Sequence, residues 1–240
     1  MIYEEQMKAT LEDFGRDACM TERGVLRVLE NVACYHSDLL GYGAADIEKT
    51  GISWILLEWK IKILRLPRYG EKMRVTTWSR GIASFCTVLR DFELYGEDGE
   101  TCVIASSKWA VVDVRAGKIA KIDENVMAKY ESEQRSVFDE KDIIRLREPR
   151  EYASEWAHRV SRSEIDLNGH VHNLCYLDYA LEALPEEIYQ NASFREIHIS
   201  YRKEIRAGEA LVCRYSEEGG VHTVGIYGEG GPVRAIVELK

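Results

Sequence analysis

Asp166, Asn168 and His170 stand at alternate positions in the stretch "SEIDLNGHVHN", and an apolar-periodic run follows at once. A carboxylate, an amide and an imidazole at this spacing can orient a water molecule, transfer a proton or hold a carbonyl oxygen. The start of a helix adds unpaired backbone N–H groups and a partial positive charge. These features suit an oxyanion that develops on a carbonyl carbon, so the stretch predicts an active site at a helix entrance.

A structural explanation competes with this one, because an Asn or Asp ahead of a helix is most often an N-cap. The matching helix entrance in the first half of the chain, "DACMTERG", lacks the Asp-x-Asn-x-His spacing, and that difference favours a functional role. His170 and His172 could form a metal pair, but no Cys or Glu ligand pattern accompanies them. The sequence has no Gly-x-Ser-x-Gly motif, and "GEGG" is typical of a hairpin because no helix follows it.

The elements that would position these residues are predicted as two similar sets. One amphipathic helix covers "ERGVLRVLENVACYHSDLLGYG" and the other covers "GHVHNLCYLDYALEAL". Downstream of each helix, Gly70-Glu71 and Gly208-Glu209 mark a matched turn. "YGEDGE" at 95–100 and "YGEGGP" at 227–232 then mark a matched hairpin. The order helix, strand, Gly-Glu turn, strand, Gly-rich hairpin, strand therefore occurs twice.

This internal repeat predicts an α+β protein with a tandem, or double, hotdog fold. Each half would be a long helix wrapped by a curved antiparallel sheet. The first hotdog is expected at residues 1–125 and the second, with the catalytic candidates, at residues 158–240. Residues 126–157, which are charged and poor in glycine, are expected to form a connecting segment with some helix.

Composition limits the class of protein. The chain has 240 residues and a net charge of −9, which argues against nucleic-acid binding through a basic surface. No apolar run approaches the ~20 residues of a membrane span. The six cysteines are scattered without a Cys-x-x-Cys pair, which indicates reduced thiols. The first residues resemble neither a signal peptide nor a transit peptide, so a cytoplasmic location is predicted.

The stretch "SEIDLNGHVHNLCYLDYALEALPEE" resembles the acyl-acyl carrier protein thioesterases of plants and bacteria, in which Asp-x-Asn-x-His-Val-Asn-Asn precedes a helix. "ISYRKEIRAGE" is similar to the family's following strand. "GISWILLEWKIKILRLPRYGEKMRVTTW" and "SSKWAVVDV" are similar to its first half. The resemblance covers nearly the whole chain and looks like the shorter bacterial form.

The resemblance implies four catalytic residues: Asp166, Asn168, His170 and Glu204. Glu204 would lie on the strand beyond the helix. Plant members of the family commonly have a cysteine directly after that glutamate, but Ile205 stands here, which argues against a cysteine nucleophile at this position. The chain also departs from the pattern at His172, where the family often has Asn, whereas Asn173 matches.

The activity implied by the resemblance is hydrolysis of fatty acyl-acyl carrier protein thioesters to free fatty acid and carrier thiol. Glu204 or Asp166 would activate a water molecule that Asn168 positions. His170, with backbone N–H groups near residues 169–171, would hold the oxyanion. The acyl chain would enter an apolar tunnel along the first helix. The partner would be an acyl carrier protein with a phosphopantetheine-linked acyl chain, and neither a cofactor nor a metal is implied.

Other functions of the same fold stay open. An acyl-CoA thioesterase would perform the same chemistry on a different carrier. A non-catalytic module that binds or senses acyl thioesters would keep the tunnel and lose the polar entrance, and a dehydratase is disfavoured by the tandem layout. The sequence leaves open the acyl chain length, the physiological carrier, the identity of the base and whether two chains form a homodimer.

Overall fold

The chain divides into two compact units, Met1–Ile143 and Ile144–Lys240. The computed structural model describes residues 1–139, 145–191 and 193–240. Each unit contains antiparallel β-strands and a small number of helices. None of the helices in the described residues is long and apolar enough to cross a membrane.

Unit 1 begins with an edge strand and a long helix, and the rest of its sheet follows. Its strands are β1 (Tyr3–Met7), β2 (Ile52–Ile63), β3 (Met73–Ser84), β4 (Thr87–Tyr95), β5 (Thr101–Asp113) and β6 (Lys118–Ile119). Its helices are α1 (Glu22–Leu39), α2 (Ile47–Thr50) and α3 (Glu124–Tyr130). The strand order is β1-β3-β4-β5-β2, with β6 paired to β5, and every pair is antiparallel.

The predicted first helix is confirmed as α1, and its sequence explains both its start and its orientation. The Thr21 side chain accepts a hydrogen bond from the Gly24 N–H and so caps the helix. The apolar side chains at helical spacing face the interior: Val25, Leu26, Val28, Leu29, Val32 and Ala33. Full burial of a Val or Leu side chain contributes roughly 1.5–3 kcal/mol, so this stripe fixes which face of α1 lies on the sheet.

Unit 2 repeats this arrangement with shorter elements. Its strands are β7 (Ser154–Arg159), β8 (Glu196–Tyr201), β9 (Ala210–Glu218), β10 (Val221–Gly228) and β11 (Val233–Leu239). Its helices are α4 (Asn173–Glu182) and α5 (Glu186–Asn191). The strand order is β7-β9-β10-β11-β8, which matches the order β1-β3-β4-β5-β2 of unit 1 strand for strand. The predicted tandem repeat is therefore present in the structure.

The matched turns lie where the repeat predicts them. Gly70 follows β2 and Gly208 follows β8, with φ angles of +85° and +77° that favour glycine. "YGEDGE" connects β4 to β5, and "YGEGGP" connects β10 to β11. Both hairpins join strands that are paired in the sheet of their own unit.

The elements differ from prediction at four places. Each copy has an additional strand before its helix, β1 or β7, which was missed because these edge strands have weak apolar alternation. Each copy also has two strands, not one, between the Gly-Glu turn and the Gly-rich hairpin: β3 and β4 in unit 1, and β9 and β10 in unit 2. The second helix is shorter than predicted and ends at Glu182, close to Pro185, which cannot continue a helix. The predicted connecting segment 126–157 includes most of α3 and the start of β7, so the unit boundaries differ from 125 and 158. Residues 140–144 of that segment lie outside the described residues.

Candidate active site

The predicted catalytic stretch folds as a closed loop ahead of α4. Ile165 and Val171 form an isolated antiparallel bridge, and the Asp166 N–H donates to the His170 carbonyl at 2.8 Å. The loop reverses at Gly169, whose φ of +77° favours glycine and whose N–H donates to the Asp166 carbonyl at 3.1 Å. This reversal brings the side chains of the Asp-x-Asn-x-His motif to one end of unit 2.

The Asp166 carboxylate organises the loop from inside. Its Oδ1 accepts hydrogen bonds from the Asn168 N–H at 2.8 Å and from the His170 N–H at 3.2 Å. Its Oδ2 accepts a hydrogen bond from the Asn168 amide Nδ2 at 3.3 Å. Asp side chains commonly bond backbone N–H groups just downstream in such turns. Both oxygens of Asp166 are therefore engaged in holding Asn168 and His170 in place.

Glu204 joins the same cluster from the segment that follows β8. The Val171 N–H donates to the Ile205 carbonyl at 2.8 Å, which fixes this segment beside the loop. The His170 Nε2 lies 3.6 Å from the Glu204 Oε2, and the Arg206 Nη2 donates to the Glu204 Oε1 at 2.9 Å. The side chains of His170 and Glu204 are 34% and 48% exposed, so both groups are open to a substrate.

The four predicted residues are thus brought together, although Glu204 is not on a strand. Strand β8 ends at Tyr201, and the N–H groups of Arg202 and Lys203 both donate to the Arg234 carbonyl. This shared acceptor interrupts the ladder. Ile205 is fully buried while Glu204 is half-exposed, so the two side chains face opposite environments. Glu204 also pairs with Arg206.

The predicted backbone oxyanion donors are wrong. The N–H groups of residues 169, 170 and 171 already donate to the Asp166 carbonyl, the Asp166 carboxylate and the Ile205 carbonyl. The helix begins at Asn173, and its N-cap is His172, whose Nδ1 accepts from the Leu174 N–H at 3.2 Å. Because the loop folds back on itself before the helix starts, these amides are engaged within the loop or with the segment that follows β8. The same bonds show that neither Asp166 nor Asn168 is the helix cap.

Two family models account for most of the chain. The acyl-ACP thioesterase N-terminal domain matches residues 1–130, and the acyl-ACP thioesterase C-terminal domain matches residues 147–226. The chain belongs to the acyl-ACP thioesterase family. The C-terminal match contains the whole loop and the segment with Glu204.

Named members of the acyl-ACP thioesterase family are distant in sequence. The chain is 25% identical to the chloroplastic oleoyl-acyl carrier protein thioesterase 1 of Arabidopsis thaliana over 92% of its own length and 66% of the relative's. It is 20% identical to the chloroplastic palmitoyl-acyl carrier protein thioesterase of Cuphea hookeriana over 85% of its own length and 52% of the relative's. The chain therefore spans between half and two thirds of the length of these relatives.

Solved structures of the acyl-ACP thioesterase family share the fold. An acyl-ACP thioesterase from Bacteroides thetaiotaomicron superposes with a TM-score of 0.86 at 22% identity, covering 99% of this chain and 96% of that one. The 12:0-ACP thioesterase from Umbellularia californica gives 0.87 at 17% identity, covering 100% and 96%. The predicted α+β class and double hotdog fold are confirmed.

Arg206 also belongs to the site, although the sequence analysis gave it no role in catalysis. Its guanidinium holds Glu204, and its backbone forms an isolated bridge with His170. The only sequence signal is its position two residues after the glutamate. Such a signal is weak because charged residues are common in exposed turns.

Proposed function

We propose that the chain hydrolyses fatty acyl thioesters of acyl carrier protein, releasing free fatty acid and the carrier thiol. The observation that carries this proposal is the half-exposed pair of His170 and Glu204, 3.6 Å apart and set beside the Asp166–Asn168 hydrogen bond. Membership of the acyl-ACP thioesterase family supports the same substrate class.

In the proposed reaction, Glu204 is the base. It takes a proton from a water molecule, whose oxygen attacks the thioester carbonyl carbon. The C–S bond then breaks, and the carrier sulfur leaves as a thiol after it receives the proton. Asp166 is the weaker candidate for the base because both of its oxygens accept hydrogen bonds within the loop. It acts by orientation instead.

The oxyanion would be held by side chains, since the nearby backbone N–H groups are engaged. The Asn168 amide has a second hydrogen beyond the one it donates to Asp166, and the His170 imidazole can donate from Nε2. Removal of one such donor costs about 10²–10³ in kcat. Asn168 and His170 therefore have defined roles that mutation can separate from that of Glu204.

A cysteine nucleophile has no support at this site. Ile205 occupies the position after Glu204 and is buried. A thiol must ionise to attack, and burial raises the pKa of the Cys213 thiol to about 12. Cys175 is buried in α4.

We infer that unit 1 binds the acyl chain along α1, as the sequence predicted for the first hotdog. The buried face of α1 is apolar from Val25 to Ala33, about two and a half turns, and ends at a polar pair in which the Arg90 Nη1 lies 3.0 Å from the His36 Nδ1. Substitution of Val32 by a larger residue would then lower activity on long acyl chains more than on short ones.

The carrier would dock on exposed cations. Arg65 is a poor candidate because it is paired with Glu71 and Asp98. Arg68, Lys203 and Arg206 are exposed, and Lys203 and Arg206 flank Glu204. An acidic carrier protein would be steered by such charges, whereas coenzyme A offers a smaller charged surface.

Hydrolysis of a panel of acyl-carrier protein and acyl-CoA substrates of graded length tests the proposal. We expect turnover of carrier-protein substrates, with kcat/KM falling more steeply with salt than for CoA substrates because salt screens long-range steering. Equal salt dependence with better turnover of acyl-CoA would favour the CoA thioesterase. Tight binding without turnover would favour a sensing module. The cytoplasmic location stays a prediction.

A further inference from the structure

A carboxylate outside the proposed catalytic set lies at the base of the loop. The His158 Nε2 lies 3.0 Å from the Glu164 Oε1 and 3.2 Å from its Oε2, and the Ser161 N–H donates to the same carboxylate. The Glu164 carbonyl accepts from the His172 N–H at 2.9 Å. Glu164 therefore closes the loop through its backbone and ties it to β7 through its side chain.

His158 is held in one orientation by two aromatic rings. Its imidazole stacks on Trp156 with ring centroids 5.1 Å apart and planes 9° apart, and the Tyr179 ring lies at 4.9 Å. A side chain fixed in this way can place its donor accurately, since little rotamer freedom remains. The Glu164 side chain is 20% exposed, so water competes only partly for this contact.

The equivalent loop of unit 1 is also anchored by a carboxylate, but the partners of that carboxylate differ. Asp13 accepts a hydrogen bond from the Arg27 Nε at 2.6 Å and from the Thr10 N–H at 2.6 Å, and its carbonyl accepts from the Thr21 N–H at 2.8 Å. Asp13 is buried. An anchoring carboxylate is thus present in both loops, including the one without the catalytic motif, which identifies it as part of the loop's framework.

We propose that His158 and Glu164 are positioning residues that set the separation of His170 from Glu204. This inference rests on the proposed function. The loop is fixed at two points, the Glu164 anchor on one side and the bond from Val171 to Ile205 on the other. Loss of the first point leaves the loop free to shift, and a displacement of about 1 Å can cost about 10²-fold in rate.

The test compares His158→Leu, which cannot donate, with His158→Gln, whose amide can reach the same carboxylate. His158→Leu should lower kcat at least about tenfold on an acyl-carrier protein substrate while KM stays within about twofold, and His158→Gln should recover most of the loss. The control is His222→Leu, which removes a histidine that stacks on Tyr215 and pairs with its hydroxyl at 2.9 Å. It should leave kcat unchanged.

Amide hydrogen exchange separates this inference from the proposed function. The His172 N–H should exchange faster in His158→Leu than in the wild type or His158→Gln, whether or not the protein hydrolyses the substrate supplied. An unchanged kcat in His158→Leu, on a substrate that the wild type hydrolyses, would overturn the inference whether or not the exchange changes. So would an equal loss of kcat in His158→Gln and His158→Leu. Absence of hydrolysis by the wild type, with the exchange effect present, would overturn the proposed function alone.

Discussion

Residues 13–21 of unit 1 repeat the backbone hydrogen bonds of the loop at residues 164–172 of unit 2. The Gly15 N–H donates to the Cys19 carbonyl at 2.8 Å, as Asp166 does to His170. The Met20 N–H donates to the Pro67 carbonyl at 2.8 Å, as Val171 does to Ile205. The bridge between residues 14 and 20 likewise matches the bridge between residues 165 and 171.

The two loops differ in the side chains that this shared backbone presents. Aligned through those hydrogen bonds, the pairs are Gly15 and Asp166, Asp17 and Asn168, Cys19 and His170, and Leu66 and Glu204. Each position of the proposed catalytic set is occupied in unit 1 by a residue of another type. The backbone of the loop is therefore a requirement of the fold, and the chemistry is confined to four positions placed upon it.

Replacement of the base should produce the largest change and should be specific to unit 2. Glu204→Gln keeps the shape and the contact with Arg206 but removes the proton acceptor, so kcat should fall by about three orders of magnitude. Ile205→Cys should not raise the activity of Glu204→Gln. Leu66→Gln, which places the same residue at the matched position of unit 1, should leave kcat within about threefold. A nearly fully active Glu204→Gln protein, measured on acyl-carrier protein substrates, would leave Asp166 as the base.

Acid should destabilise unit 1 through a buried histidine. Burial, together with the nearby Arg90 charge, lowers the pKa of His36 to about 3, below its ordinary 6.5. The unfolded chain therefore binds a proton that the folded unit 1 excludes. The stability this group supports is present above pH 6.5 and is lost as pH falls toward 3, by on the order of a few kcal/mol.

Urea unfolding between pH 7 and pH 4 measures this loss. His36→Gln, whose side-chain oxygen can still accept from Arg90, should show a shallower decline in the free energy of unfolding than the wild type. An identical decline in both proteins would mean that His36 does not control the acid response.

The proposed oxyanion donors should give the next largest effect, in activity alone. His170→Ala and Asn168→Ala should each lower kcat roughly 100-fold, the scale of one lost donor. Both side chains are at least partly exposed, so thermal stability should change little. Cys19→Ala and Asp17→Ala make the matched changes in unit 1 and should leave kcat unchanged. Equal effects in the two loops would contradict the division into framework and chemistry.

Asp166→Asn tests whether this residue orients or reacts. Asn can still accept the backbone N–H groups through its oxygen, but its amide would face the Asn168 amide, donor against donor. If Asp166 only orients the loop, Asp166→Asn should lower kcat about tenfold and the free energy of unfolding by about 1 kcal/mol. A loss of about three orders of magnitude, measured with the folded fraction held constant by thermal melting, would identify it as the base instead.

The sequence predicted the loop's polar residues and missed how their backbone is used. Asp166, Asn168 and His170 are close in sequence, so their spacing alone placed them together. Glu204 is distant in sequence and entered only through the family resemblance. The oxyanion prediction failed because it assumed that the helix begins at the motif, whereas the chain first folds back from residue 166 to residue 170. Periodicity reveals a helix face but not such a reversal.

The same limit explains the missed strands. β7 has the sequence "SEWAHR", in which only Trp156 and His158 are partly buried, and it lies at the sheet edge. A strand with one neighbour needs few apolar residues, so its pattern resembles that of a charged linker. His158 was missed with it, although the alternation of Trp156 and His158 is the signal that marks one inward face.

The smallest expected effect concerns the reversal that both loops share. Gly169 has a φ of +77°, and at the matched position Ala18 has a φ of +60°. No atom lies within 4 Å of a Cβ built on Gly169, so Gly169→Ala adds only the cost of a left-handed residue. That cost is roughly 1–2 kcal/mol, partly offset by lower entropy of the unfolded chain. Gly169→Ala should therefore destabilise the protein by about 1 kcal/mol, and Ala18→Gly should stabilise it by a smaller amount.

Chemical denaturation of the two variants measures these changes, with kcat as the second readout. Because Ala18 already holds this conformation in unit 1, Gly169→Ala should keep the loop's hydrogen bonds and lower kcat by no more than about threefold. If Gly169→Ala instead abolishes hydrolysis while the protein stays folded, the space above Gly169 is needed by the substrate. The two loops would then differ in the space that they leave for the substrate as well as in their side chains.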